Sequence, residues 1–178
     1  DSGIPDALRP VLAEAAREIG ELETRIQALE CQLEGAARAS DVAVRLRTIP
    51  GVGLLTATAL VAFVGDAHRF PSGRHFASYL GLTPREASSG LRRRLGALSK
   101  RGDPYLRMLL IHGARSLLLH AKKATASRDR LRTWALDRER ARGHNQAAVA
   151  LANKLARIVW AVWRREQAFE TSTTQGAR

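Results

Sequence analysis

Between Leu8 and Leu33 the apolar and small residues fall at Leu8, Leu12, Ala15, Ile19, Leu22, Ile26, Leu29 and Leu33, at spacings that alternate four and three. This is a heptad seam over nearly four repeats, flanked by Glu and Arg. The stripe is narrow and the other faces are charged, as a two-stranded seam requires. Residues 1–38 therefore read as a dimerising coiled coil, with Leu12, Ile19, Leu22, Ile26, Leu29 and Leu33 at its seam. The expected assembly is a homodimer or higher oligomer, the alternatives being an intrachain hairpin with sequence not present here and an amphipathic helix packed on its own domain. Cys31 falls near the end of this stretch, at the surface or rim, and as the lone cysteine it excludes an intrachain disulfide or a cysteine-rich metal site.

The Gly/Ala/Ser stretch from Gly35 to Asp41 is expected to end the seam and mark a domain boundary. Aromatics make up 5% of the chain and β-branched residues come in short bursts, so helix is favoured almost throughout. The expected fold is all-α, with residues 42–169 as a second, helical domain and 170–178 as a disordered tail. With 45% apolar residues, the chain can bury a real core. Within Val42 to Gly65, a short helix, the turn Pro50-Gly51-Val52-Gly53 and a second apolar helix form the signature of a helix-hairpin-helix. In such a hairpin, glycines let backbone N–H groups approach a phosphate and the following helix offers its positive end. Gly51, Val52 and Gly53 are thus candidate nucleic-acid contacts, blind to base sequence. A tight turn between two core helices would carry the same glycines.

Charge supports the phosphate reading. Lys and Arg total 29 against 17 Asp and Glu, a net +12, and such a surface attracts polyanions, chiefly nucleic acid. The excess of Arg over Lys suits bidentate phosphate contacts, although a GC-rich genome produces the same bias. No apolar run reaches the roughly 18 residues of a membrane span and no signal peptide is visible, so a bacterial cytoplasmic location without membrane partners is expected. The histidines are dispersed: His68 is a turn residue, His75, His112, His120 and His144 lie far apart, and no metal site is expected in this chain. Phe70, Phe76 and Tyr79 read as core residues in and before a helix from Gly73 to about Leu80, capped by Ser72.

The segment Ser88-Ser89-Gly90-Leu91-Arg92-Arg93-Arg94 sets a hydroxyl beside three guanidinium groups. A protein attacking a phosphodiester needs such a set, and an ordinary basic loop shares it. Lys100 and Arg101 precede a helix with Asp103 as N-cap and Pro104 in its first turn, and are placed to touch DNA or RNA. That helix is expected to run to about Ala124. A charged helix held by Trp134 follows from Ser127 to Arg142, and Asn145 is expected to cap a last helix with Leu151, Leu155, Val159 and Val162 in its core stripe.

The ordered set "IPGVG", "GDAHRF", "ASYLGLTP", "SSG" and "LSKRGDPYLRMLL" resembles the C-terminal domain of the insertion sequence 110 family of transposases, which includes pilin-gene invertases, and the match covers about Thr48 to Phe169. The resemblance implies a DNA recombinase in which an N-terminal RuvC-like domain, expected before Asp1, carries acidic residues that hold Mg2+, and a coiled coil precedes the basic domain. It places the family's serine nucleophile at Ser89, the residue directly before the glycine, with Ser88 as runner-up. It implies DNA as partner and, in some members, a structured guide RNA. Arg92, Arg93 and Arg94 would then stabilise charge on the attacked phosphate. The isolated chain would be inactive and bring no cofactor of its own. A non-catalytic helix-hairpin-helix module that only holds nucleic acid, and an oligomerisation protein with an incidentally basic surface, are the competing readings.

Overall fold

The computed structural model of the chain describes residues 5–86, 89, 94–123 and 129–170. After a short 3-10 turn at Asp6–Leu8, its helices are α1 (Arg9–Arg38), α2 (Asp41–Leu46), α3 (Leu54–Val64), α4 (Gly73–Tyr79), α5 (Pro104–Lys123), α6 (Arg130–Arg142) and α7 (His144–Arg165). Strands β1 (Pro84–Glu86) and β2 (Leu95–Leu98) pair antiparallel between α4 and α5, with a register irregularity between Pro84 and Glu86. The fold is mainly α, as the composition leads one to expect. The small sheet is the addition that the composition hides, because three- and four-residue strands are too short to show a period.

The centre of the domain is α7, which packs against α5, α6, α4 and α2. Its buried face carries Ala148, Leu151, Ala152, Leu155, Ala156, Val159, Val162 and Trp163, and small residues alternating with large ones let neighbouring helices approach closely. Gly143 stands at its N-cap position, one residue before the helix begins. Asn145 is therefore not the cap. It lies in the first turn and accepts a hydrogen bond from Arg115 at 3.5 Å. On α6, Leu131 and Ala135 make the buried contact, Trp134 is half-buried beside them, and Asp129 caps the helix by accepting from the Arg132 N–H at 2.7 Å. The expected start at Ser127 and the tail from 171 to 178 lie outside the described residues.

The first helix ends inside the Gly/Ala/Ser stretch. α1 runs through Gly35 to Arg38, Ala37 is fully buried, and the break before α2 is only Ala39 and Ser40. Ala37 is the small residue buried in this part of α1, which contacts α2 and α3, whereas Gly35, Ala36 and Ala39 are exposed. Ser40 then caps α2 by accepting from the Ala43 N–H. Glu34 reinforces the junction: it pairs with Arg47 at 2.9 Å and with Arg38, and the hydrogen bond from Arg47 above all holds its carboxyl below the usual carboxylate range. Toward the N-terminus, by contrast, Leu12, Ile19, Leu22, Ile26 and Leu29 are between 48% and 58% exposed, and only Leu33 is half-buried.

Candidate functional site

The β-hairpin stands on a base built from backbone. The N–H of Ser99 donates to the Thr83 carbonyl at 2.8 Å, and that of Lys100 to the Gly81 carbonyl at 3.2 Å, extending the ladder below β1 and β2. Gly102 lies flat on the end of α4. A Cβ there would sit 2.2 Å from the Tyr79 oxygen and 2.6 Å from the Gly81 nitrogen, so no side chain fits without moving backbone. Two side chains complete the clamp. Arg107 of α5 donates to the carbonyls of Gly102 (3.2 Å) and Leu80 (3.4 Å), and Asn153 of α7 donates to that of Leu82 (2.9 Å). Neither residue stands out in the sequence, because each acts on backbone far away in the chain and no local motif records that.

Ser89 lies between the two strands and is exposed. Arg94, just before β2, is exposed as well, while Ser88, Arg92 and Arg93 lie outside the described residues. At the foot of the hairpin, Lys100 and Arg101 are both exposed, and Lys100 takes a left-handed backbone conformation (φ 55°) that turns the chain toward α5. Asp103 accepts from the Leu106 N–H at 2.9 Å with Pro104 first in the helix, as the sequence leads one to expect. The structure thus brings Lys100 and Arg101 to the same hairpin that carries Ser89.

The glycine turn between α2 and α3 divides its labour unequally. Gly51 (φ 86°) faces α5, where a Cβ would lie 2.8 Å from the Gly113 oxygen; a Cβ on Gly113 would lie 1.9 Å from the Gly51 oxygen. Two backbones in contact explain both glycines by packing. Val52 is buried and gives its N–H to the Ile49 carbonyl at 2.9 Å. Gly53 differs: it is exposed, has open space where a Cβ would go, and precedes α3 with no side-chain cap over the first turn. An uncapped helix start presents N–H groups and a partial positive charge to solvent.

Among the described residues carboxylate–histidine pairs occur in two places, although sequence spacing does not reveal them as pairs. Asp66 accepts from both the backbone N–H and the ring of His68, each at 2.8 Å, and these bonds hold its carboxyl below the usual range. Glu139 sits 2.8 Å from Lys122 and 2.7 Å from His144; Lys122 above all lowers its carboxyl pKa. The first pair folds a loop, and the second ties α5, α6 and α7 together. Among the described residues no three His, Cys, Asp or Glu side chains converge, so they do not supply a metal cage. No described helix is long and apolar enough to cross a membrane.

Residues 43–130 match the family model described as transposase IS116/IS110/IS902, a span that brackets the glycine turn, the hairpin and α5. A probable family 20 transposase of Pseudomonas aeruginosa is 44% identical over 93% of this chain and 48% of its own length. The transposase for insertion sequence element IS1111A of Coxiella burnetii is 41% identical over 94% of this chain and 45% of its own. A pilin gene-inverting protein of Moraxella lacunata is 30% identical over 81% and 42%. The chain spans about half the length of the relatives it matches. Identity at this level across nearly the whole chain, with the ordered motifs in place, means that this chain belongs to the IS116/IS110/IS902 family of transposases.

Proposed function

We propose that this chain is the nucleic-acid-binding and serine-bearing part of a DNA transposase, acting with a metal-binding RuvC-like domain of the same or another protomer. The observation that carries the reading is Ser89: an exposed hydroxyl on a hairpin whose base is fixed by Gly102, Arg107 and Asn153, with Lys100 and Arg101 at its foot. Ser89 Oγ attacks a DNA phosphorus and forms a serine–phosphate ester as the P–O bond to the leaving strand breaks, and the proton lost by the serine hydroxyl is balanced by one gained on that strand's oxygen. Cations at the hairpin stabilise charge on the phosphoryl oxygens as it develops, while a fixed base keeps the hydroxyl in line. Arg92, Arg93 and Arg94 are the sequence neighbours suited to that role. The Mg2+ that the family resemblance implies would be held by the RuvC-like domain. Gly53 and the open start of α3 grip duplex phosphates independently of sequence, and a guide RNA would be a further polyanionic partner. The exposed seam of α1 joins two copies.

The test is separation of function. In the full-length protein, Ser89→Ala should abolish strand exchange and leave duplex binding within about twofold, since a serine hydroxyl contributes little to phosphate affinity. Equal loss of both activities would favour the non-catalytic binding module.

A further inference from the structure

A groove of about 1290 Å³ runs between α4, the base of the hairpin, α6 and α7. Its rim carries Arg74, Arg138, Arg142, Lys154 and Arg157, and among the described residues no Asp or Glu lines it. Among the described residues, none of these five cations has a carboxylate partner. Lys154 lies 4.2 Å from the centre of the Trp134 ring and Arg138 lies 5.6 Å from it, so the indole holds both charges at the rim. Burial, followed by repulsion from Arg157 and Arg138, pushes the Lys154 pKa below the usual lysine value. Like charges crowded around an opening, without counter-charges, leave a place for a polyanion. The floor is different in kind: Leu82, Val149, Ile158 and Trp160 make it apolar.

We propose that this groove is a second nucleic-acid site that takes an unpaired strand, with phosphates on the cationic rim and bases against the apolar floor. A duplex keeps its bases stacked inward and would leave that floor wet, whereas a single strand has base faces to bury. Four of the five rim cations are arginine, whose fork matches phosphate and whose plane also stacks on bases. The groove adjoins the hairpin, because Leu82, Pro84 and Leu98 at the hairpin base form one of its walls. The proposal rests on the nucleic-acid reading above and not on the serine.

The test is fluorescence anisotropy of labelled oligothymidylate and of a labelled hairpin duplex, titrated with the 178-residue chain across a salt series. Arg142→Glu with Arg157→Glu, two exposed positions in the groove, is compared with Lys123→Glu and Arg165→Glu, an equal charge change at exposed positions that do not line it. The groove pair should weaken oligothymidylate binding at least about tenfold and reduce its salt slope by about 1.4, two phosphate contacts at about 0.7 each. The control pair on either probe, and the groove pair on duplex, should shift affinity less than about threefold. Equal losses for single strand and duplex, equal losses in the two double variants, or no loss in the groove pair would overturn the assignment. So would tighter binding of labelled poly-glutamate than of oligothymidylate, lost in the groove pair, which would give the groove to an acidic peptide. If the groove pair loses its helical circular dichroism, Arg142→Gln with Arg157→Gln replaces it, with about a threefold loss for oligothymidylate expected. A parent chain that binds neither nucleic acid would overturn the functional reading as well; binding that survives the groove change would overturn the groove alone.

Discussion

Gly51, Gly53 and Gly113 place two different physical demands on one residue type. At Gly113 an added Cβ would meet the Gly51 oxygen at 1.9 Å, and neither backbone can withdraw without moving a helix or the turn. Gly113→Ala should therefore cost about 3 kcal/mol, lowering Tm by roughly 10 °C in a domain of this size. Gly53→Ala meets nothing within 4 Å and has an ordinary backbone angle, so Tm should stay within about 2 °C. Thermal melts of the two variants check both statements. If Gly53 lies against phosphate, its alanine variant should also bind duplex severalfold more weakly by gel shift, and unchanged binding would reduce the turn to a packing device. The two turn glycines have the same spacing signature in sequence, and only the position of α5 tells them apart. The proposed role of Ser89 rests on the family's ordered motifs, whereas no motif points to Arg107 or Asn153, because each serves a carbonyl distant in the chain.

At the level of elements, helices with their own local signals were readable and their junctions were not. The Pro104 and Asp103 pair announces α5, and Ser72 announces α4, because capping chemistry is written within four residues. The run from Gly35 reads as a linker, yet α1 continues through it to Arg38 and buries Ala37 before it breaks. The α5, α6 and α7 junction likewise depends on Glu139, which joins Lys122 and His144 although the three residues share no motif. Its carboxyl is lowered in the folded chain, so its contribution is in full force above the unfolded carboxylate pKa of about 4.3 and is lost as pH falls through the lower folded value. Glu139→Gln should cost about 1 kcal/mol at neutral pH, and the difference in Tm from the parent should shrink toward zero on the acid side of that range. A gap that persists undiminished at acid pH would mean that shape, not charge, holds the junction.

For the molecule as a whole, α1 is a lever with one end built into the domain and the other bare. Leu22 and Ile26 lie on the bare part, 48% and 54% exposed, so Leu22→Asp with Ile26→Asp should not disturb the core of the domain. Light scattering should report a dimer for the parent and a monomer for this variant, with helical content otherwise kept. Equal masses would assign the seam to contacts within one protein. Pairing through α1 would bring two copies of the Ser89 hairpin into one assembly, which is what exchange between two DNA strands requires. The proposed role of Ser89 as nucleophile is tested most directly by trapping the ester. Labelled DNA is incubated with the full-length protein and run on a denaturing gel beside Ser89→Ala and Ser88→Ala. The parent and Ser88→Ala should each give a protein–DNA adduct and Ser89→Ala none. An adduct that survives in Ser89→Ala, or that vanishes only in Ser88→Ala, would contradict the account.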